Sequence, residues 1–221
     1  MRPAFDLYWS FRSPYSYLVT DRVFALERQY DVQVNVRIVM PLAVRDPDFF
    51  KRADPLLTRY VALDAPRVAE FIGVPFRWPR PDPVTIDPVT LEFAAHQPYI
   101  GRLSRLGVEA VRQGRGLPFI RETSRLIWGG QVRDWHQGDH LASASRAAGL
   151  TLQALEAAIA APDADHDSEI QRNQIALREV GHWGVPTMVL GGEPFFGQDR
   201  FSMLVDRLKR AGMRERASPT V

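Results

Sequence analysis

Asp6-Leu7-Tyr8-Trp9-Ser10-Phe11-Arg12-Ser13-Pro14-Tyr15-Ser16-Tyr17-Leu18 decides how this chain is read. An apolar strand through Trp9 breaks into a short polar turn, and Ser13-Pro14 then opens a helix. Ser is a strong N-cap, and Pro is pre-set for the first helical position. Such an end leaves backbone N–H groups without intrahelical partners at the positive pole of the helix dipole. A site for an anion or a thiolate is expected there, above the end of the strand.

Working outward, a strand is expected over 4–9 and a helix over 14–29, with Leu18, Val23, Phe24 and Leu26 turned toward the core. Residues 32–39 alternate apolar and polar, the period of a half-buried strand. Strand, helix and strand at this spacing make a βαβ unit with parallel strands. From 42 to 180 the pattern changes to helices and turns, with no strand expected. Helices are expected over 59–73, 89–113, 117–128, 138–148, 151–160 and 165–180. Residues 74–88 carry Pro75, Pro79, Pro81, Pro83 and Pro88 and cannot be regular helix. Beyond Gly181 strands return: 187–190, a two-residue turn at Gly191-Gly192, and 193–196. A last helix is expected over 200–211, with 213–221 frayed.

The βαβ and ββα ends each have too little apolar face to stand alone. They are expected to share one four-stranded mixed sheet with helices on both faces, an α/β, thioredoxin-like arrangement. Residues 1–41 and 182–215 would form that domain, and residues 42–181 an all-helical insertion.

The 221 residues, 45% of them hydrophobic, suit one large domain or a small one carrying an insertion. A net charge of +2 provides no basic field for nucleic acid. Arg207, Arg210, Arg214 and Arg216 read as a solvated helix face and a tail. The chain has no cysteine. That excludes disulfides, thiolate metal sites and catalysis by a thiol of this chain, and it fits a reducing compartment. No signal-peptide pattern is seen, and no apolar run reaches the roughly 20 residues of a membrane span. A cytoplasmic protein without membrane contact is expected.

Three segments carry a resemblance. Ser13-Pro14-Tyr15-Ser16-Tyr17-Leu18, Gly184-Val185-Pro186-Thr187 and Gly192-Glu193-Pro194-Phe195-Phe196-Gly197-Gln198-Asp199-Arg200 together resemble the DsbA-like branch of thioredoxin folds. More narrowly they resemble 2-hydroxychromene-2-carboxylate isomerases and kappa-class glutathione transferases. Tyr60 and Asp64, followed by Gly-Val-Pro-Phe, and Ile127-Trp128-Gly129 extend the likeness over essentially the whole chain. Oxidoreductases of this fold place Cys-x-x-Cys at the first helix N-terminus, where this chain has Ser13. The resemblance implies glutathione as cofactor, with the Ser13 hydroxyl donating to its thiolate, a cis Val185-Pro186 bond and the Val185 backbone pairing with the tripeptide. It implies Gln198 and Asp199 at the γ-glutamyl end, Asp199 taking the α-amino group. As plain sequence, Ser13 and Asp199 read equally as N-caps and Pro186 as a loop proline.

One departure stands out. Relatives often carry a lysine three residues before the tyrosine equivalent to Tyr60, contacting the glycine end of glutathione; here that position is Leu57. Lys51, Arg52 and Arg59 are the substitutes at hand, Arg52 among the candidate ligands. Trp9, Phe11, Trp128 and Trp183 are candidates for an aromatic substrate pocket, and each reads equally as core. The implied activity is a glutathione-dependent isomerase acting on a small aromatic or unsaturated carbonyl compound, as a homodimer. A kappa-like transferase and a non-catalytic binding protein are the alternatives.

Other constellations are set aside. His136 and His140 are spaced i, i+4, but Gly138 lies between them and no third metal ligand is at hand. Asp163, Asp165 and Asp167 mimic a calcium loop, but Ser168 and Gln174 stand where Gly and Glu are needed. These acids read as a helix N-terminus. Gly191-Gly192 is a turn, not a phosphate loop. His182 reads as a loop histidine, with general acid or base as its other reading. No metal is expected.

Overall fold

The structure, a computed structural model, describes residues 2–87 and 92–217. β1 (Ala4–Trp9), α1 (Pro14–Gln29) and β2 (Gln33–Ile38) form the first unit. β1 and β2 run parallel, from Ala4 opposite Gln33 to Trp9 opposite Ile38. β3 (Thr187–Leu190) lies antiparallel on the other side of β1, with Thr187 opposite Tyr8, and β4 (Glu193–Phe196) pairs antiparallel with β3. The order is β2-β1-β3-β4, the mixed sheet expected. Gly191 and Gly192 turn the hairpin with φ of 59° and 86°, the doubly positive φ that a two-residue turn of this kind requires.

β1 is apolar almost throughout because both faces of the sheet are covered. Phe5, Leu7 and Trp9 enter the main core with Leu18, Val19 and Val23 of α1. Tyr8 faces the other way, and with Val189 of β3 it meets Leu177. The Trp9 indole N–H donates to the Ser16 carbonyl at 3.1 Å and to the Thr20 hydroxyl at 3.0 Å, which ties α1 to β1.

Between the two ends lie α2 (Leu42–Arg45), α3 (Phe49–Arg52), α4 (Pro55–Phe71), α5 (Pro98–Arg112), α6 (Gly116–Trp128), α7 (His140–Ala147), α8 (Leu152–Ile159) and α9 (His166–Glu179). α6 packs on α1, while α5 and α9 pack on β2. α10 (Phe201–Arg210) closes the chain against β3.

The boundaries differ from expectation in several places. α2 and α3 are single turns, too short for a periodic signal. α4 starts at Pro55, not 59, because Asp54 caps it by accepting the Leu56 N–H at 2.8 Å. It also runs through Pro66. α5 starts at Pro98, not 89. Gln97 gathers the preceding loop, accepting the Thr85 N–H and donating to the Thr85 and Ala94 carbonyls at 2.7–2.8 Å, so an extended pair with a bridge from Ile86 to Phe93 stands there. Residues 88–91 of that expected loop and helix lie outside the described residues. The expected fraying after 213 is also corrected. Met213 is buried, the Arg214 carbonyl accepts the Asp31 N–H, and the Arg216 N–H donates to the Gln29 carbonyl, both at 2.8 Å. Residues 218–221 of that tail lie outside the description.

Candidate active site

The C-terminal end of β1 and the N-terminus of α1 meet at Ser13. Its backbone is extended (φ −91°, ψ 117°), the N-cap conformation, and its Oγ accepts the Ser16 N–H at 3.2 Å. The same hydroxyl donates to the Val185 carbonyl at 3.2 Å. The Val185-Pro186 bond is cis, as the resemblance implied. Two backbone donors beside this contact, the N–H groups of Tyr15 and Val185, have no partner among the described residues. A helix dipole, a hydroxyl and a free helical N–H thus converge where an anion would be stabilised.

Acidic groups flank one side. The Tyr15 hydroxyl donates to Asp64 Oδ2 at 2.7 Å, which joins α1 to α4. Burial foremost, then this bond and the charge of Asp64, push the Tyr15 phenol well above its usual range, with Tyr60 and Asp199 adding to the effect. Asp199 is exposed and pairs with Arg200 at 3.0 Å. It sits within a 3-10 turn, Gln198–Arg200, and its side chain caps nothing, so the N-cap reading of Asp199 is corrected. Gln198 is turned toward α1, where Arg22 donates to both its backbone and its side-chain oxygens. Burial lowers the Arg22 pKa, and the charge of Asp199 opposes that.

The other side is aromatic. Trp183 is 42% exposed and packs on Phe49 at 4.9 Å and His182 at 5.3 Å. His182 in turn stacks on Phe196 at 4.0 Å. Gly184 lets these rings close up: a Cβ there would lie 2.4 Å from Phe196 Cε2. The Gly184 N–H donates to His182 Nδ1 at 2.8 Å, so the ring proton of the neutral imidazole resides on Nε2. Burial above all, and the charge of Arg45 as well, lower the His182 pKa.

The model of the DSBA-like thioredoxin domain matches residues 4–209. The chain belongs to that family. It is 25% identical over 210 residues to a 2-hydroxychromene-2-carboxylate isomerase of Pseudomonas putida, covering 93% of this chain and 94% of the relative. The solved structure of a 2-hydroxychromene-2-carboxylate isomerase superposes with a TM-score of 0.69 at 22% identity, over 94% of this chain and 95% of the other. The cytosolic disulfide reductase DsbM of Pseudomonas aeruginosa, solved with glutathione, matches with a TM-score of 0.56 at 14% identity, over 93% and 99% of the two chains. Both solved structures show the fold alone.

Within this DSBA-like fold, two expected pocket residues are core. Phe11 is 0% exposed and meets Trp9 and Phe119 edge to face. Trp128 is 0% exposed; its indole N–H donates to the Phe11 carbonyl at 3.0 Å and its ring stacks on Tyr17. Trp9 is likewise fully buried. These rings build the floor under the site, and of the four tryptophan and phenylalanine candidates Trp183 alone reaches a surface. Arg12, next to Ser13 and not singled out in the sequence, lies over the Trp78 and Trp128 rings at 5.8 and 5.7 Å and pairs with Asp82. Its neighbour Ser13 is thereby anchored to the proline-rich loop.

Two of the three cationic substitutes for the missing lysine are engaged elsewhere. Arg52 holds Asp46 through two bonds of 2.9–3.0 Å, and Lys51 pairs with Asp48 and Glu92. Leu57 itself is exposed on α4. Among the described residues no group of three or more His, Cys, Asp or Glu can hold a metal ion. The His136 ring packs on Tyr99 at 4.9 Å. Among the described residues no helix is long and apolar enough to cross a membrane.

The unpartnered donors of Tyr15 and Val185, with a hydroxyl between them, fit an extended thiol peptide. A ligand carbonyl suits the Val185 N–H, a ligand N–H suits the Val185 carbonyl, and a thiolate suits the helix end.

Proposed function

We propose that this chain is a glutathione-dependent cis-trans isomerase of the 2-hydroxychromene-2-carboxylate type, acting in aromatic catabolism in the cytoplasm. What carries the reading is the Ser13 hydroxyl on the Val185 carbonyl at a helix N-terminus, in a chain that has no cysteine. The 25% identity to the Pseudomonas putida isomerase supports it. Glutathione would supply a thiolate that adds to an unsaturated carbon of the substrate and, once the ring C–O bond has opened and the former double bond has rotated, departs unchanged.

The chain's own part is binding and orientation. The Val185 N–H and C=O pair with the peptide as an added strand. A ligand N–H takes over the Val185 carbonyl, and the Ser13 hydroxyl rotates to the sulfur. With the Tyr15 N–H and the helix dipole it favours the anion of a thiol whose ordinary pKa is about 8.5. Pro186 shapes the edge of this strand site. Asp199 takes the ammonium of the γ-glutamyl end, with Gln198 beside it, and Arg52 serves the glycine carboxylate by exchanging Asp46 for it. The substrate ring lies along Trp183 and Phe49. A homodimer belongs to the same proposal, and the exposed Leu56, Leu63 and Phe71 of α4 are a surface that a second copy would cover.

The test is conversion of 2-hydroxychromene-2-carboxylate with and without glutathione, with glutathione quantified before and after. The proposal expects conversion only with glutathione and no loss of it. Stoichiometric consumption would instead make the protein a kappa-like transferase, and no binding of glutathione would sink both readings.

A further inference from the structure

The end of β2 carries a cavity apart from the candidate active site. It has a volume of about 290 Å³ and lies between Met40, α2 and the last turns of α9. Met40, Val44 and Ile175 make its apolar wall, and its polar lining comes from Arg45, Arg178, Gln171 and Gln174. None of these is a carboxylate.

The hydrogen bonds already made decide what the lining can offer. Gln174 Oε1 accepts the Met40 N–H at 3.1 Å, and Gln174 Nε2 donates to Gln171 Oε1 at 2.8 Å. Gln171 therefore presents its amide N–H groups. Arg45 donates one N–H of Nη2 to the Trp183 carbonyl, while its Nε and Nη1 are buried without any partner. Arg178 has no carboxylate in ion-pair reach among the described residues. The nearby acid Asp46 is held by both its oxygens on Arg52. Burial foremost, and then Arg178, bring the Arg45 pKa down to about 10, while the charge of Asp46 opposes them. The Gln171 amide and two like charges, in a lining without a carboxylate, call for an oxyanion. The apolar wall calls for an organic body attached to it.

We propose that this cavity binds a small organic carboxylate, with Arg45 and Arg178 on its oxygens and its apolar body against Met40, Val44 and Ile175. The site does not depend on glutathione. It is joined to the candidate active site through Arg45, which holds the carbonyl of Trp183, two residues before Val185. The carboxylate comes either from the isomerised substrate or from a separate small acid.

Benzoate is the probe, with benzamide as its neutral isostere and inorganic phosphate as the bare anion. Each is titrated into the intact protein at fixed ionic strength by calorimetry. Benzoate is expected to bind saturably, with benzamide and phosphate about tenfold weaker or more. Arg178→Ala, at an exposed position, is expected to fold and to weaken benzoate about tenfold, the loss of one charged hydrogen bond. Arg45→Met should do the same, and if it fails to fold, Arg178→Ala decides alone. Absence of benzoate binding, equal binding of benzamide, or unchanged binding in Arg178→Ala overturns the proposal. Benzoate competing with the substrate assigns the site to the substrate's carboxylate, and inhibition or activation of another pattern assigns it to a separate acid. Intact benzoate binding without glutathione binding would sink the glutathione reading and leave this site standing.

Discussion

Ser13 and Val185, 172 residues apart in the chain, are joined by one hydrogen bond of 3.2 Å from hydroxyl to carbonyl. The bond brings a helix N-terminus against the segment that leads into β3. It also occupies the two groups that an incoming thiol peptide would need to separate. Ser13→Ala removes this bond and the cap on Ser16 together. Loss of the cap should cost about 1 kcal/mol, lowering the thermal midpoint by about 2–4 °C. Loss of the thiolate donor should lower turnover about tenfold to hundredfold at neutral pH. Ser13→Thr should restore both. Thermal unfolding and initial rates check this, and a variant of unchanged turnover would remove Ser13 from the chemistry.

Tyr17 predicts an alkaline limit. Its hydroxyl donates to the Pro75 carbonyl, and burial, with a contribution from Asp21, pushes its pKa from 10.0 to about 12. The folded state therefore holds this proton more tightly than the unfolded chain. Its stabilisation is complete below pH 10 and is lost as pH rises toward 12. Denaturant midpoints measured across that window should fall, and should fall less steeply in Tyr17→Phe. Equal slopes for both proteins would contradict the assignment.

His182 sets the opposite limit. Its folded pKa lies below the ordinary 6.5 because burial disfavours the charged ring. The unfolded chain binds this proton first, so the contribution is present above pH 6.5 and declines as pH falls through the folded value. Proton NMR should place the His182 titration below 6.5. Phe196→Ala uncovers the ring and should move the midpoint up toward 6.5. A midpoint unmoved by that substitution would mean that Phe196 does not provide the burial.

Leu57 offers a gain-of-function test. It is 40% exposed on α4, so Leu57→Lys should leave stability within about 0.5 kcal/mol. If glutathione lies in the proposed groove, the new cation should tighten its binding a few-fold, the scale of an exposed ion pair. Calorimetric titration reads the change, and weaker or equal binding would place the glycine end elsewhere.

The sheet was legible because its signals are local. The alternation of 32–39, the Ser13-Pro14 cap and the Gly191-Gly192 turn each act within a few residues. The start of α4 carries the same kind of signal in Asp54-Pro55, but its apolar side chains Leu56, Leu57 and Leu63 face solvent and blur the buried stripe. The start of α5 depends on Gln97 reaching back to Thr85, a contact no periodicity reports. The same holds at the site. Ser13, Val185 and Pro186 come together because the strand order brings them there. For Phe11 and Trp128 the sequence left pocket and core open, and burial decides for core, because aromatic content does not say which side of a turn a ring occupies. Tyr15 with Asp64, and Arg45 with Trp183, are pairings between distant segments that a single sequence does not display.

The thiol pKa of bound glutathione tests the central claim most directly. Thiolate absorbance is followed against pH for glutathione saturating the wild-type protein, Ser13→Ala and Ser13→Thr. The account predicts a midpoint below the ordinary thiol value of about 8.5 in the wild type and the threonine variant, shifted upward in Ser13→Ala. A midpoint equal to that of free glutathione in the wild type, or one that Ser13→Ala leaves in place, would contradict it.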